Sequence, residues 1–421
     1  MKKAIIAVAA IALLLLSTLL PKVNAQPMPF VGAQAAPTTS PTQPARIIFF
    51  HIDGLHYQAP ERLKLTNYQA LEQQGTSVGE AYILIPWHQT ENGYRSLSLT
   101  SPPNPTTLAG TLFLDPWWEE RYIQHAFYPT GLTAHIANST AYETLNPGMH
   151  FVKLNRGNDE ENIRYAIDLL QNNDIKFMRL VLQDTGSASQ RVADGRLKNQ
   201  PWAENIWADG SPYIKAAQNA DRLLGEFVAA LKRLGQWDDT LLVLLSDGQA
   251  STGWHPIQNE ESWRIPLAFI GPGIARGKTI PYAESIDIVP TVLNLMGMPP
   301  LNTDGGAGRV LEEIKVGSGD VQVPRRLLEL NRQIKEHLRL RAQMQLLADR
   351  YPLIDTSLME AENRLIRPNA IFYNLERMDQ WREAGTIDNM LKVNRAAIAF
   401  LKERLQQSGA LINKRSSFGS G

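Results

Sequence analysis

The chain contains no cysteine. That excludes disulfides, a thiol nucleophile, a thiolate zinc site and a lipidated N-terminal cysteine. Any metal must be held by Asp, Glu, His or neutral oxygens. Neither sign of charge is in excess: Lys+Arg and Asp+Glu are both 42, and the formal net charge is zero. Composition therefore points neither to nucleic acid as a partner nor to an acidic solvating tail. A local positive pocket on a neutral protein still admits an anionic substrate. No internal repeat is visible, and the one long hydrophobic run lies at the start.

Residues 1–25 read as a signal peptide. Lys2 and Lys3 precede an apolar run over residues 4–20, Pro21 breaks it, and Ala25 offers a small residue for cleavage before Gln26. The alternative is a retained membrane anchor, since the run approaches spanning length. Either way the protein is expected outside the cytoplasm, periplasmic or extracellular. Residues 26–45, rich in Pro, Ala, Thr and Gln, suit a flexible lead-in.

With 421 residues, 43% hydrophobic and 20% charged, the chain is long and apolar enough for one large folded domain and an appendage. Residues 46–52 form a short apolar run ending at Asp53-Gly54 and read as a buried parallel strand. Further strands are expected at 81–86, 133–137, 177–183, 240–245 and 265–270. Helices are expected through Leu63, Tyr68 and Leu71, and over 162–170, 212–234 and 286–296. This alternation predicts an α/β domain over 46–321, with a mainly parallel central sheet and helices on both faces. From about Gln322 the pattern turns helical, over 325–350 and 387–407, so 322–421 reads as a C-terminal helical appendage. It could pack on the core, on a second copy or on an envelope partner.

Sheets of this kind bind ligands beyond the carboxyl ends of their strands. Asp53, Asp184 and Asp247 each follow a strand-like run, so their gathering on one edge is a geometric expectation. Carboxylates are hard ligands suited to Ca²⁺, Mg²⁺ or Mn²⁺ and, together with His, to Zn²⁺. A single strand-end Asp is more often a helix cap or turn residue. His51, His56, His88 and His135 are read first as core or capping histidines, and Trp117-Trp118 first as core.

The ordered motifs resemble the alkaline phosphatase superfamily, near its sulfatase and phosphodiesterase branches. The resemblance covers roughly residues 46–311. It rests on His51-Ile-Asp53-Gly54, Asn219-Ala-Asp221, Ser246-Asp247, Arg264-Ile-Pro-Leu with Gly271-Pro-Gly273-Ile, and Asp287-Ile-Val-Pro-Thr. The resemblance implies a nucleophile held on one or two divalent metal ions and attacking phosphorus or sulfur. The segment Arg95-Ser-Leu-Ser-Leu-Thr100-Ser-Pro-Pro103 is similar to the stretch after that nucleophile. It puts Thr90 at or one place from the nucleophile position, with Glu91 the other candidate, and gives Arg95 the substrate's anionic oxygens. No Cys or Ser opens a Pro-x-Arg motif for conversion to formylglycine, so a type I sulfatase is not expected.

By the same resemblance Asp53, Asp247, Asp184 and His255 are the expected metal ligands, with Gln249 as a further oxygen donor. The set departs from the family's. Gly248 stands where a His usually follows Ser-Asp, and Ala188 stands four residues after Asp184, where phosphodiesterases carry His. Two functions follow as expectations. One is an exported metal-dependent hydrolase or transferase acting on a phosphate ester, sulfate being the second choice, of a small molecule or an envelope glycan or lipid. The other is a degenerate member that keeps the fold and serves as an envelope binding or assembly protein.

Overall fold

The computed structural model describes residues 43–83, 94, 97–99, 121–154, 157–256, 259–299, 301, 308–319, 329, 332, 333, 336, 340 and 387–418. The signal peptide and most of the lead-in lie outside the described residues. So do residues 84–86 of the expected second strand, His88, Thr90, Glu91, Arg95, Trp117, Trp118 and most of the helix expected over 325–350.

Among the described residues nine strands form one sheet. They are β1 (Arg46–Ile52), β2 (Thr76–Tyr82), β3 (Leu132–Ala137), β4 (Phe151–Leu154), β5 (Ile175–Leu182), β6 (Thr240–Leu245), β7 (Arg264–Ile265), β8 (Ala268–Ile270) and β9 (Lys278–Glu284). Their order is β4-β3-β5-β1-β6-β8-β2-β7, and β9 pairs with β2. β1 lies parallel between β5 and β6, while β7 and β8 run antiparallel to β2. The sheet is thus mostly parallel, as expected.

The central strands are apolar throughout because both of their faces are covered. Ile48, Phe50 and Ile52 of β1 face one core, with Leu180, Leu244 and helices α1 (Thr66–Gln74), α2 (Asp159–Asn172) and α4 (Pro212–Arg233). Ile47 and Phe49 face the other, with Val243, Leu245 and helix α5 (Ile288–Leu295). Each such side chain contributes roughly 1.5–3 kcal/mol by leaving water. In α4 the buried positions Tyr213, Ala217, Ala220, Leu224, Phe227 and Leu231 recur every three or four residues, as a one-sided helix requires. Ser211 caps it through the Tyr213 N–H, and Pro212 fits the first turn, where no N–H is needed.

Several elements differ from expectation, among them β4 and a helix over Asp184–Val192, neither of which is expected from the sequence. The single strand expected over 265–270 is two, β7 and β8, because Pro266 between them has no N–H to donate to a ladder. β2 begins at Thr76, and its mixed burial hides it from a search for apolar runs. β9 carries Pro281, which reads against a strand, yet β9 pairs only with β2 and tolerates it at the sheet's edge. Helix α3 (Asp184–Val192) follows β5 directly. Toward the C-terminus, helix α6 (Ile387–Phe418) buries Leu391, Asn394, Ala397 and Leu401. Gln333 Nε2 donates to the Leu391 carbonyl at 3.1 Å, and Leu340 packs with Leu401.

Candidate active site

β1 and β6 are hydrogen-bonded neighbours, so the residues that follow them emerge side by side. Asp53 follows β1, its backbone N–H still paired to the Leu182 carbonyl at 2.8 Å. Asp247 follows β6 by two residues. Its Oδ1 accepts the Gly54 N–H at 2.7 Å, which locks the two strand ends together. Both carboxyls are buried and close enough to share a proton. Burial, and then the neighbouring Asp247 charge, hold Asp53 well above the usual carboxylate range. Burial pushes Asp247 up to about 6. Two adjacent carboxyls cannot both ionise cheaply here without a cation or a proton between them.

Two glycines let the backbone pack closely against the pair. A Cβ on Gly186, in α3, would stand 1.9 Å from Asp53 Oδ2, and one on Gly54 would stand 2.7 Å from Gly186 Cα. Gly54 also has φ +65°, which other residues rarely adopt. The Asp53-Gly54 sequence is therefore required twice, by conformation and by close approach.

Oxygens without hydrogen-bond partners point to what the site takes. Asp247 Oδ2 and Gln249 Oε1 are both fully buried and unpartnered among the described residues. Gln249 spends its amide N–H on the Ala250 carbonyl at 2.8 Å. Its Oε1 would be 3.2 Å from a Cβ on Gly54, which places it beside the pair. His255 Nε2 lies 3.7 Å from Asp247 Oδ2, and burial pushes this imidazole down toward its neutral form. Trp254 stacks on His255 at 4.2 Å and sits at φ +59°, a strained position for a large residue.

Asp53 Oδ1 is taken by two phenols. Tyr94 donates to it at 3.0 Å and Tyr142 at 3.2 Å. Asp53 and Tyr142 also line a cavity of about 370 Å³, with Asn138, Ser139, Asp184 and Trp254 on its walls.

The expected metal set is thus divided. Asp53 and Asp247 meet, and His255 joins them. Asp184 faces the same cavity from the first turn of α3 but is not one of the pair. Its N–H donates at 3.1 Å to Asp159 Oδ2, and its half-buried carboxyl is pushed up by burial. Among the described residues no three of His, Asp and Glu close into a metal cage. The unpartnered oxygens beside the pair, Asp247 Oδ2 and Gln249 Oε1, are donors of the type that suits a hard ion.

Gly248 explains the missing histidine. It has φ +91°, and a Cβ there would stand 2.0 Å from the Ser262 carbonyl oxygen. The backbone leaves no room for any side chain at that position.

His51, His56 and His135 are buried, while His88 lies outside the described residues. His51 and His135 are buried near the Arg179 guanidinium. Burial followed by that charge lowers both, His135 to about 3. His56 bonds Glu261 at 2.9 Å. Sequence reasoning missed Tyr94, Tyr142, Gln183 and Gly186. The loop after β3, which carries Tyr142, lies on the same sheet edge, so the strand-end rule applied to β3 would have reached it.

The fold and the paired strand-end carboxyls define an alkaline-phosphatase-like domain. Comparison with known proteins narrows the class: residues 91–298 match the sulfatase family model. That match takes in just under half of this chain and marks a sulfatase-like segment. The chain is similar to the multifunctional alkaline phosphatase superfamily protein PehA of Trinickia caryophylli, 40% identical over 97 residues, 20% of this chain and 18% of that protein. Choline-sulfatase of Rhizobium meliloti (strain 1021) is 32% identical over 100 residues, 23% of this chain and 20% of that one. The matched stretch thus spans about a fifth of these relatives' length. Among solved structures, BT4656 in complex with its substrate D-glucosamine-2-N,6-O-disulfate shares the fold. Its TM-score is 0.50 at 14% identity, over 67% of this chain and 82% of that one. Among the described residues no helix is long and apolar enough to cross a membrane.

Proposed function

We propose that the protein is an exported, metal-dependent hydrolase or transferase that cleaves a phosphate ester, with sulfate esters as the second choice. One observation carries the reading. Asp53 and Asp247 lie side by side and buried, and Asp247 Oδ2 and Gln249 Oε1 have no partner. Buried oxygens without partners are costly, and a cation beside Asp247 Oδ2 and Gln249 Oε1 would satisfy them.

A divalent ion held there would supply Lewis acidity toward a phosphoryl oxygen and toward the nucleophile. The chain's own residues do the rest. Gly54 and Gly186 let the backbone pack closely against Asp53. His255, neutral and set by the Trp254 ring, stands where it can hold a proton or add a ligand. Thr90 is the proposed nucleophile and Arg95 the proposed anchor for the anionic oxygens, on the motif resemblance alone. The absence of cysteine, and of a Ser opening a Pro-x-Arg motif, argues against formylglycine chemistry and so favours phosphate. Export rests on the N-terminal sequence pattern. Residues 322–421 are proposed as a helical region distinct from the α/β domain of 46–321.

The test compares p-nitrophenyl phosphate, bis(p-nitrophenyl) phosphate and p-nitrophenyl sulfate as substrates of the wild type and Asp53→Ala, with Mg²⁺, Mn²⁺, Ca²⁺ or Zn²⁺ added. Metal-stimulated turnover of a phosphate ester that Asp53→Ala abolishes supports the reading. No turnover, or turnover indifferent to Asp53, would leave the binding-protein alternative instead.

A further inference from the structure

Tyr142 is buried, yet it carries a hydroxyl that the ester-cleaving scheme does not use. Its surroundings fix the direction of its hydrogen bonds. The Asn138 backbone N–H can only donate, and it donates to Gln183 Oε1 at 2.7 Å. Gln183 must therefore turn its Nε2 the other way, and that nitrogen donates to the Tyr142 hydroxyl oxygen at 3.1 Å. Gln183 is itself held, since its backbone N–H donates to Asp159 Oδ1 at 2.7 Å.

The Tyr142 oxygen is thus occupied as an acceptor. Its single proton is left for Asp53 Oδ1 at 3.2 Å, directly or through the Tyr94 hydroxyl, which donates to the same oxygen at 3.0 Å. In both arrangements a phenol proton ends on Oδ1. Oδ1 is then engaged as an acceptor, which leaves Oδ2 the less engaged oxygen for a proton or cation. That oxygen lies against Gly186, where a Cβ would stand 1.9 Å from it.

We propose that Tyr142, oriented by Gln183, is a positioning residue that reserves Asp53 Oδ2 for a divalent cation. The proposal rests on the reading of Asp53 and Asp247 as cation ligands and deepens it. Outer partners of this kind orient a ligand, and their loss typically lowers metal affinity about 10–100-fold. The tyrosine touches neither substrate nor cation in this scheme and acts only through Asp53.

The experiment is a calorimetric titration of Mn²⁺ into metal-free protein, for the wild type, Tyr142→Phe, Gln183→Leu and the double variant. Thermal unfolding of each is measured in EDTA. The expected result is a Kd raised about tenfold by Tyr142→Phe and raised in the same direction by Gln183→Leu. The double variant should be little worse than Tyr142→Phe, because the two act in one chain. Gln183→Leu keeps the phenol and covers the case in which Tyr142→Phe folds poorly. Wild-type binding with Kd values within twofold in both single variants overturns the positioning role alone. No Mn²⁺ binding by the wild type overturns both this inference and the cation reading beneath it.

Discussion

Asp247→Asn is predicted to stabilise the metal-free protein at pH 8 while removing its response to metal. Asp247 is fully buried, and its carboxyl is pushed up from an ordinary value near 3.8 to about 6, chiefly by burial. A shift of about two units corresponds to ~3 kcal/mol. The sign follows from linkage. A carboxyl raised in the fold contributes stability that is present below its unfolded value and is lost as pH rises through about 6. The wild type in EDTA should therefore lose stability relative to the variant between about pH 4 and pH 6. Asparagine does not titrate, and its Oδ1 can still accept the Gly54 N–H that Asp247 holds at 2.7 Å. At pH 8 in EDTA the variant should be more stable by up to ~3 kcal/mol, and near pH 4 the difference should vanish. With Mn²⁺ at a thousand times Kd the order should reverse, because the wild type gains about 4.1 kcal/mol and the variant nothing. Urea unfolding followed by tryptophan fluorescence reads all of this. A variant less stable than wild type by more than about 1 kcal/mol at pH 8 in EDTA would refute the reasoning, since ordinary surface changes stay within ~0.5 kcal/mol.

Further outcomes follow from the same geometry. Gly186→Ala places a methyl 1.9 Å from Asp53 Oδ2, so Mn²⁺ binding should be lost and stability should fall by ~1–3 kcal/mol, as read by calorimetry and urea. Glu261 accepts the Ser251 N–H and hydroxyl and the His56 imidazole, and these bonds help hold it down to about 2 despite partial burial. Glu261→Ala should cost about 2 kcal/mol at pH 7, a figure reduced for the group's partial exposure. That cost should shrink as pH falls from about 4 toward 2, where the wild-type carboxylate protonates. Arg179 is fully buried and donates to Ser98 Oγ at 2.8 Å and Gln124 Oε1 at 3.2 Å, with no carboxylate partner among the described residues. Arg179→Met should cost about 1 kcal/mol and Arg179→Ala ~3 kcal/mol or more, because methionine fills the volume without a buried charge. Equal losses in urea would contradict this.

The sheet was legible because its central strands are buried on both faces. Residues 46–52, 177–182 and 240–245 are near-continuous apolar runs, and each ends at or near an Asp. The edge was less legible. β2 and β9 mix exposed and buried positions, and Pro281 in β9 reads as a breaker until its free edge is seen. At the site, Asp53 and Asp247 could be paired from the strand-end rule, since strand neighbours place their following residues together. Asp184 obeyed the same rule and faces the same cavity, but its place in the first turn of α3 keeps it out of the pair. The strand-end rule reaches the segment that carries Tyr142, but the role of Tyr142 and Gln183 depends on hydrogen-bond direction across three loops, which no sequence pattern carries. Gly248 shows the converse. Its sequence signal was a missing histidine, and its left-handed backbone against the Ser262 carbonyl supplies the physical reason.

The central claim is that Asp53 and Asp247 hold one divalent cation between them. Electron paramagnetic resonance of free Mn²⁺ in a titration of metal-free protein tests it most directly. The account predicts about one equivalent bound by the wild type and none by Asp53→Asn or Asp247→Asn, with both variants folded. Equal binding by all three proteins, or none by the wild type, would contradict it.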